Sequence, residues 1–243
     1  MFQIRKSDDH FRMKSGWLDA RWHFSFGNYY DPANLNFGPL RVFNDDVIAG
    51  ENGFPIHPHQ EMEIVTVLQQ GELTHYDTIG NSGVIVPGEV QKMSAGTGIQ
   101  HSEWNYGKEP VKLQQIWFMP GEHGLSPTYA QQQYEVARDG LTIVGSPAGN
   151  AGGVPIYQDV VMAIADTDQV FEHELARGRG VYVHVIDGEP AIEGEGLQQG
   201  DAARLGETER IRFEGSGRVL LIDLPLIEGA DRSTLVVPST DES

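Results

Sequence analysis

The feature that most restricts the fold of this chain is a series of short apolar runs and tight turns between residues 53 and 103. An apolar, β-branched run at residues 64–68 precedes Gly71, and a second run at 84–86 lies between turn signals at 80–83 and 87–89. Short runs of this composition, separated by Gly, Pro and Asn, are typical of antiparallel barrels and jelly rolls. The sequence therefore predicts an all-β fold of antiparallel β-sandwich or jelly-roll barrels.

Two pairs of metal-ligating side chains lie at the ends of this segment, in His57-Pro58-His59 and His101-Ser102-Glu103. Prolines at 55 and 58 argue against a helix at the first pair. Residues two apart on a strand share a face. Two such strands side by side would direct three imidazoles and one carboxylate to one point. A single His-x-His pair is weak evidence, but the second pair supplies the missing ligand types. The sequence thus predicts a metal site of His57, His59, His101 and Glu103.

Two further carboxylates follow the first histidine pair. If the alternation continues, Glu61 and Glu63 share the face of His57 and His59, and either could bind the metal or hydrogen-bond a ligand imidazole. A bulge near Pro58 could change this register. We expect Glu61 and Glu63 to face solvent or to contact a ligand histidine, and not to ligate.

Residues 113–119 are expected to form the closing strand of the first barrel. Alternation places Gln114, Ile116 and Phe118 on one face, which we assign to the cavity near the metal. Together with Phe54, these three residues are the predicted substrate pocket.

The other histidines have no partner at ligand spacing. Surface or capping positions are expected for His10 and His23, and structural roles for the rest: His75, His123, His173 and His184.

The second half of the chain repeats the first in a degraded form. Residues 181–189 echo residues 64–72, and residues 199–205 echo residues 87–93. The positions that correspond to the four ligands hold Glu174, Ala176, Phe213 and Gly215, so no histidine pair is present there. We predict a metal-binding domain at 1–125, which begins with an N-terminal arm of residues 1–40, and a C-terminal barrel without a metal site at 126–243. Local patterns predict a turn at 44–46, a helix at 129–134 and a frayed end at 239–243.

Composition restricts the partners. The formal net charge is −18, from 35 acidic and 17 basic residues, so direct binding to nucleic acid or to an anionic membrane is not expected. No stretch approaches the roughly 18 apolar residues of a membrane span, and the N-terminus lacks the apolar region of a signal peptide. With no cysteine, disulfides and thiolate ligands are excluded. We expect a cytoplasmic protein that is a two-barrel monomer.

These motifs resemble the pirin family of bicupins, and within it the bacterial pirin-like quercetin 2,3-dioxygenases. The resemblance rests on residues 57–59 with Glu63, 71–77 and 94–103, and on residues 16–19, 24–26, 29–32, 115–117 and 120–121. It is dense in the first half and diffuse in the second. Many cupins take a glutamate ligand from the first motif, at the position of Ile64 here. In pirins the carboxylate comes from the second motif, where this chain has Glu103.

The resemblance implies opening of the heterocycle of a flavonol such as quercetin by O₂, with release of carbon monoxide and with Glu103 as general base. The donor set suits one divalent first-row metal. The resemblance points to Fe(II), with Mn, Co, Ni, Cu and Zn as alternatives. The family also offers a second interpretation, a metal-dependent, redox-sensitive regulatory protein without turnover. A cupin isomerase that uses the metal only as a Lewis acid is a third.

Overall fold

The computed structural model describes residues 1–138 and 140–226, and within them every regular element except one short 3₁₀ turn, Ser7–Asp9, is a β-strand. The predicted frayed end at 239–243 lies outside the described residues. The prediction of an all-β fold with two antiparallel barrels is confirmed.

The first half of the chain forms twelve strands. They are β1 (Phe2–Arg5), β2 (Phe11–Lys14), β3 (Leu18–Trp22), β4 (Leu40–Ile48), β5 (Asn52–His59), β6 (Glu63–Gln70), β7 (Leu73–Asp77), β8 (Ser82–Ile85), β9 (Glu89–Ser94), β10 (Ile99–Asn105), β11 (Val111–Phe118) and β12 (Thr128–Gln133).

The second half forms eight more strands in the described residues. They are β13 (Thr142–Pro147), β14 (Val154–Ile156), β15 (Val161–Asp166), β16 (Phe171–Glu174), β17 (Arg179–Ile192), β18 (Glu195–Gly196), β19 (Ala202–Gly206) and β20 (Arg210–Pro225).

The N-terminal barrel consists of two facing antiparallel sheets. One has seven strands in the order β12-β9-β6-β11-β4-β3-β2, and the other has four in the order β5-β10-β7-β8. Both predicted ligand pairs lie on neighbouring strands of the smaller sheet, β5 and β10. The larger sheet forms the opposite wall of the barrel.

The C-terminal barrel is a nine-stranded sheet with the main order β1-β19-β17-β20-β15-β13-β14, in which only β13 and β14 pair in parallel. Its two long strands, β17 and β20, have 14 and 16 residues and carry most of the interior. Alternate residues of β17, Val181, Val183 and Val185, belong to an apolar cluster that fills this barrel.

The two barrels exchange strands across the predicted boundary at 125/126. The N-terminal strand β1 pairs with β19 of the C-terminal barrel, and β12 pairs with β9 of the N-terminal barrel. A hydrophobic core between the barrels joins side chains of both, among them Phe43, Ile116 and Phe118 from one side and Tyr182 and Leu220 from the other.

Two local predictions are wrong. Residues 44–46 lie inside β4, because β11 and β3 pair with this strand on both sides and satisfy its backbone. Residues 129–134 form no helix, since 128–133 are the edge strand β12. Gln131 donates to the carbonyl of Val84 and to the Glu89 carboxylate, so tertiary contacts override the weak local preference.

No helix in the parts of the chain that the structure describes has the length and hydrophobicity needed to cross a bilayer.

A buried ion pair connects the N-terminal barrel to the second half of the chain. The Lys92 ammonium lies 3.1 Å from the Glu63 carboxylate, with side-chain exposures of 0% and 2%. Lys92 also donates to Ser94, while Glu63 accepts a hydrogen bond of 3.0 Å from the Tyr157 backbone. Burial lowers the pKa of Lys92, and the Glu63 charge opposes that shift. Each charge is therefore tolerated only because the other is present.

We expect Lys92→Met to lower the free energy of unfolding by about 3–5 kcal/mol, because it leaves the Glu63 charge buried without a partner. The double variant Lys92→Met/Glu63→Gln should lose less free energy of unfolding than the single variant, because it leaves no unpaired charge. Urea denaturation measures both. Glu61→Gln is the control, since Glu61 pairs with the exposed His123 and should cost less than about 1 kcal/mol. A single variant as stable as the control would contradict this interpretation.

Candidate metal centre

The pairing of β5 with β10 brings three imidazoles together. His101 lies opposite His57, and Ile99 lies opposite His59, so the three histidines share one face of the sheet. The ring centroids are 4.5 Å apart for His57 and His101, 4.8 Å for His57 and His59, and 4.9 Å for His59 and His101. One nitrogen of each ring lies within 4.8 Å of the others. Three convergent imidazole nitrogens are a donor set for a divalent metal.

The local sequence explains how the strands come this close. A Cβ on Gly53 would lie 2.2 Å from the carbonyl oxygen of Glu103, so only glycine allows this approach. The register between β5 and β10 then shifts between His101 and Glu103, where Glu103 faces Phe54. The ring of His57 donates through Nδ1 to the Pro55 carbonyl at 2.7 Å, which leaves its Nε2 as the free nitrogen.

Burial keeps the three imidazoles neutral. It lowers the pKa of His57, lowers that of His59 to about 3 and that of His101 to about 2. The Nε2 atoms of His59 and His101 are buried and have no hydrogen-bond partner within the described part of the chain. Unpaired buried nitrogens cost free energy unless something binds them. The donor set therefore fits a metal ion.

Glu103 lies on the same face of β10 but is held by the opposite sheet. Gln115 donates to Glu103 Oε2 at 2.7 Å, and the Thr66 hydroxyl lies 3.4 Å from Oε1. Burial raises the pKa of Glu103 to about 7, although these two hydrogen bonds act in the opposite direction. A carboxyl group in this state can hold or release a proton near neutral pH.

The four predicted ligands do not form one group at the spacing of the three imidazoles. Glu103 instead groups with His101 and His75, whose ligand atoms lie within 4.8 Å of one another. His101 thus belongs to two adjoining clusters.

His75 is the residue that sequence reasoning missed. It lies opposite Glu103 on β7, and its Nε2 donates to Asp77 at 3.2 Å. Its Nδ1 accepts from Gln91 at 3.3 Å and lies 3.5 Å from His101 Nδ1. These partners assign the proton of His101 to Nδ1 and leave Nε2 as its metal-binding nitrogen. The sequence does contain one indication of this role, because His75 and Asp77 are two residues apart and share a face of β7. Their place beside the site, however, depends on the pairing of β7 with β10.

Glu61 lies partly exposed and away from the imidazoles, in line with the solvent-facing expectation, whereas Glu63 neither faces solvent nor contacts a ligand histidine. Glu61 has a backbone φ of 49° and accepts hydrogen bonds from His123 and from the Gly124 backbone. Glu63 is buried and pairs with Lys92. A turn between β5 and β6 breaks the alternation that would have placed them beside the histidines.

Most of the predicted substrate pocket is on the wrong face of β11. Ile116 and Phe118 pack in the core between the barrels, and Gln114 donates to Asp45 at 2.9 Å. The opposite face carries Gln115, which contacts Glu103, and Trp117, which lies two residues further along β11. The prediction that Gln114, Ile116 and Phe118 share one face of β11 is correct. The sequence did not reveal which face of β11 points into the N-terminal barrel, because both faces are buried.

Two aromatic side chains lie against the imidazoles. The Trp117 ring packs edge-on against His59, with centroids 4.8 Å apart. Phe54 lies 6.3 Å from the His57 ring and packs edge-on against Trp17 at 5.1 Å. Phe54 is half-buried, and it remains the one predicted pocket residue beside the histidines.

The remaining histidines occupy several environments. The expectation that His10 and His23 are surface or capping residues is wrong, because both are buried and their rings stack at 3.6 Å. His184 is also buried and its ring lies 5.3 Å from that of His23. His173 pairs with Asp223 at 2.8 Å. At a ligand-equivalent position of the second barrel, Phe213 stacks on Phe171 with centroids 4.8 Å apart.

Two family models match the chain. The Pirin model matches residues 4–118, and the model of the quercetinase C-terminal cupin domain matches residues 143–224.

Individual relatives match over most of the chain. The chain is 39% identical over 232 residues to the quercetin 2,3-dioxygenase of Escherichia coli strain K12, covering 93% of this chain and 99% of that protein. It is 40% identical over 193 residues to a pirin-like protein of Caulobacter vibrioides, covering 77% of this chain and 83% of the relative.

Two solved structures share the fold of this chain over nearly its whole length. The crystal structure of YhhW from Escherichia coli matches with a TM-score of 0.90 and 37% identity, covering 95% of this chain and 100% of that one. The structure of the bacterial pirin YhhW in complex with nickel(II) matches with a TM-score of 0.89 and 38% identity, covering 93% and 100% of the two chains.

We expect His101→Ala to weaken metal binding more than Asp77→Asn. The first variant removes a nitrogen donor, whereas the second removes only the carboxylate that bonds His75, which in turn contacts His101. Loss of an outer partner of a ligand lowers metal affinity by about 10- to 100-fold. Competition between the protein and a chelator for Ni(II) measures both affinities. His123→Ala is the matched control, because His123 is an exposed partner of Glu61. Wild-type affinity in His101→Ala would contradict the assignment of this imidazole.

Proposed function

This chain is a member of the pirin family, and from that premise we propose that it is a metal-dependent dioxygenase that opens the heterocycle of a flavonol such as quercetin with O₂ and releases carbon monoxide. The observation that carries the proposal is the cluster of three neutral imidazoles with unpaired nitrogens beside a buried carboxyl group. The reaction class is taken from relatives that are named quercetin 2,3-dioxygenase. Since quercetin is a planar polyphenol, we propose a substrate of that class.

We assign the metal to the imidazoles of His57, His59 and His101, with Glu103 as a fourth ligand. The metal is proposed to be Fe(II), with Mn, Co, Ni, Cu and Zn as alternatives, and YhhW has been crystallised with nickel(II). Any of these ions would lower the pKa of a coordinated hydroxyl group, and Fe(II) or another redox-active ion would also supply redox chemistry toward O₂, which Zn(II) would not.

Glu103 is the proposed general base for the flavonol 3-hydroxyl. Its pKa of about 7 lets the carboxylate accept a proton at neutral pH. Gln115 donates to Oε2 and thereby fixes the orientation of the carboxylate. Because Gln115 and Thr66 belong to strands of the opposite sheet, the base is held by the rigid wall of the barrel.

Aromatic side chains are proposed to position the substrate and to exclude water. Trp117 covers His59 from the barrel side, while Phe54 and Trp17 form an edge-on pair next to His57. A planar polyphenol can pack on such rings. A dry environment also strengthens the electrostatic effect of Glu103 on the bound hydroxyl.

The purified, metal-loaded chain should consume quercetin only in the presence of O₂. Glu103→Gln should lower kcat by about 10²- to 10⁴-fold, because it removes the proton acceptor, and it should lower metal retention less. Loss of the flavonol absorbance under aerobic and anaerobic conditions, carbon monoxide release and metal content are the measurements.

Glu61→Gln is the matched control, because the Glu61 side chain bonds only to His123 and Gly124 in the described structure. Unchanged absorbance with every metal would contradict the dioxygenase and favour the regulatory protein. Consumption without O₂ would favour the isomerase. Equal loss of turnover and metal in Glu103→Gln would show that this carboxylate is only a ligand and not also the base.

A further inference from the structure

A second polar cavity lies where the N-terminal strand β1 meets β19 of the C-terminal barrel, and its lining includes none of the proposed metal ligands. Its volume is about 140 Å³. In the antiparallel pairing, Gln3 lies opposite Arg204 and Arg5 lies opposite Ala202. These four residues therefore share one face, and Arg5 and Arg204 are diagonal neighbours on it. Both arginines line the cavity.

The two arginines have no carboxylate among their hydrogen-bond partners in the described residues. Arg5 donates twice to the backbone carbonyl of Asp9, at 3.2 and 3.0 Å. Arg204 donates to the side-chain oxygen of Asn34, and its guanidinium lies 4.6 Å from the Phe24 ring centroid. Burial lowers the pKa of Arg204, and the charge of Arg5 lowers it further. Two like charges on one partly buried face favour an anionic partner.

One carboxylate lines the cavity as well. Asp31 is partly exposed, and its Oδ1 accepts a hydrogen bond of 2.9 Å from the Ala33 backbone. It belongs to the turn of the N-terminal arm. The formal charge of the lining is therefore positive, with two guanidinium groups against one carboxylate.

A buried imidazole completes the lining. His10 is only 5% exposed, and neither of its ring nitrogens has a hydrogen-bond partner among the residues that the structure describes. Its ring is fixed by stacking on His23, whose Nδ1 in turn lies 2.6 Å from the Tyr182 hydroxyl. A neutral imidazole always carries one N–H. His10 thus offers a fixed donor that the protein itself does not use.

We propose that this cavity binds one small oxyanion, a carboxylate or a phosphate, through Arg5, Arg204 and His10. A guanidinium group matches the geometry of both anions, because its parallel N–H groups can donate to two oxygens. The cavity of about 140 Å³ leaves room for a small anion beside these side chains. The ligand would join β1, the arm and β19, so its binding would stabilise the folded chain by mass action.

Isothermal titration of the full-length, metal-loaded protein tests the proposal. Sodium phosphate and sodium succinate are titrated in separate experiments at an ionic strength fixed with NaCl. We expect saturable binding of one anion per chain. The anion with the lower Kd shows whether the site prefers a phosphate or a carboxylate. Arg5→Gln and Arg204→Gln should each weaken binding about tenfold or more, because each removes a charge-assisted hydrogen bond. Melting temperature should rise with the same ligand.

Arg12→Gln is the matched control, because Arg12 is exposed, pairs with Asp19 and does not line the cavity. Its affinity should equal that of the wild type. Arg5→Gln decides the result if Arg204→Gln does not fold, since the Arg5 side chain bonds only to a backbone carbonyl. Absence of binding beyond the effect of NaCl would overturn the proposal. So would wild-type affinity in the Arg5→Gln variant.

Discussion

The antiparallel register of β5 and β10, with His57 opposite His101, is the constraint on which the candidate metal centre depends. A slip of one residue would turn one pair of side chains to the outside of the barrel. Gly53 permits the close approach of the two strands, and the register shift after His101 lets Phe54 lie opposite Glu103. The site is therefore built on paired strands and not on loops, which holds the imidazoles in place before any ligand binds.

The opposite sheet supplies the second element of the site, a row of polar side chains in an otherwise apolar wall. Thr66 lies opposite Gln115 on one neighbouring strand and opposite Gln91 on the other. Gln115 holds Glu103, and Gln91 contacts His75. Burial favours the neutral form of every titratable group here, since it lowers the pKa of the histidines and raises that of Glu103. The neutral imidazoles and the carboxyl group offer lone pairs, and a cation can bind them.

Strand alternation and turn chemistry were enough to predict the all-β class and the shared face within each ligand pair, because both follow from local geometry. The convergence of the two pairs depends on the pairing of β5 with β10, which the sequence indicated only through complementary ligand types and the family resemblance. The inner face of β11 could not be predicted, since Ile116 on one face and Gln115 on the other are both buried, and the usual contrast in polarity is lost. The role of His75 depends on pairing between distant strands. The burial of His10 depends on packing between the arm and the second barrel, for which the sequence has no local signal.

Anomalous diffraction at the absorption edges of Fe, Ni and Zn, from crystals of the protein purified without added metal, tests whether the three imidazoles bind one ion. We expect one strong peak per chain among His57, His59 and His101, about 2.0–2.2 Å from one nitrogen of each ring. A peak in the C-terminal barrel, or a peak that lacks any one of these three nitrogens as a ligand, would contradict it.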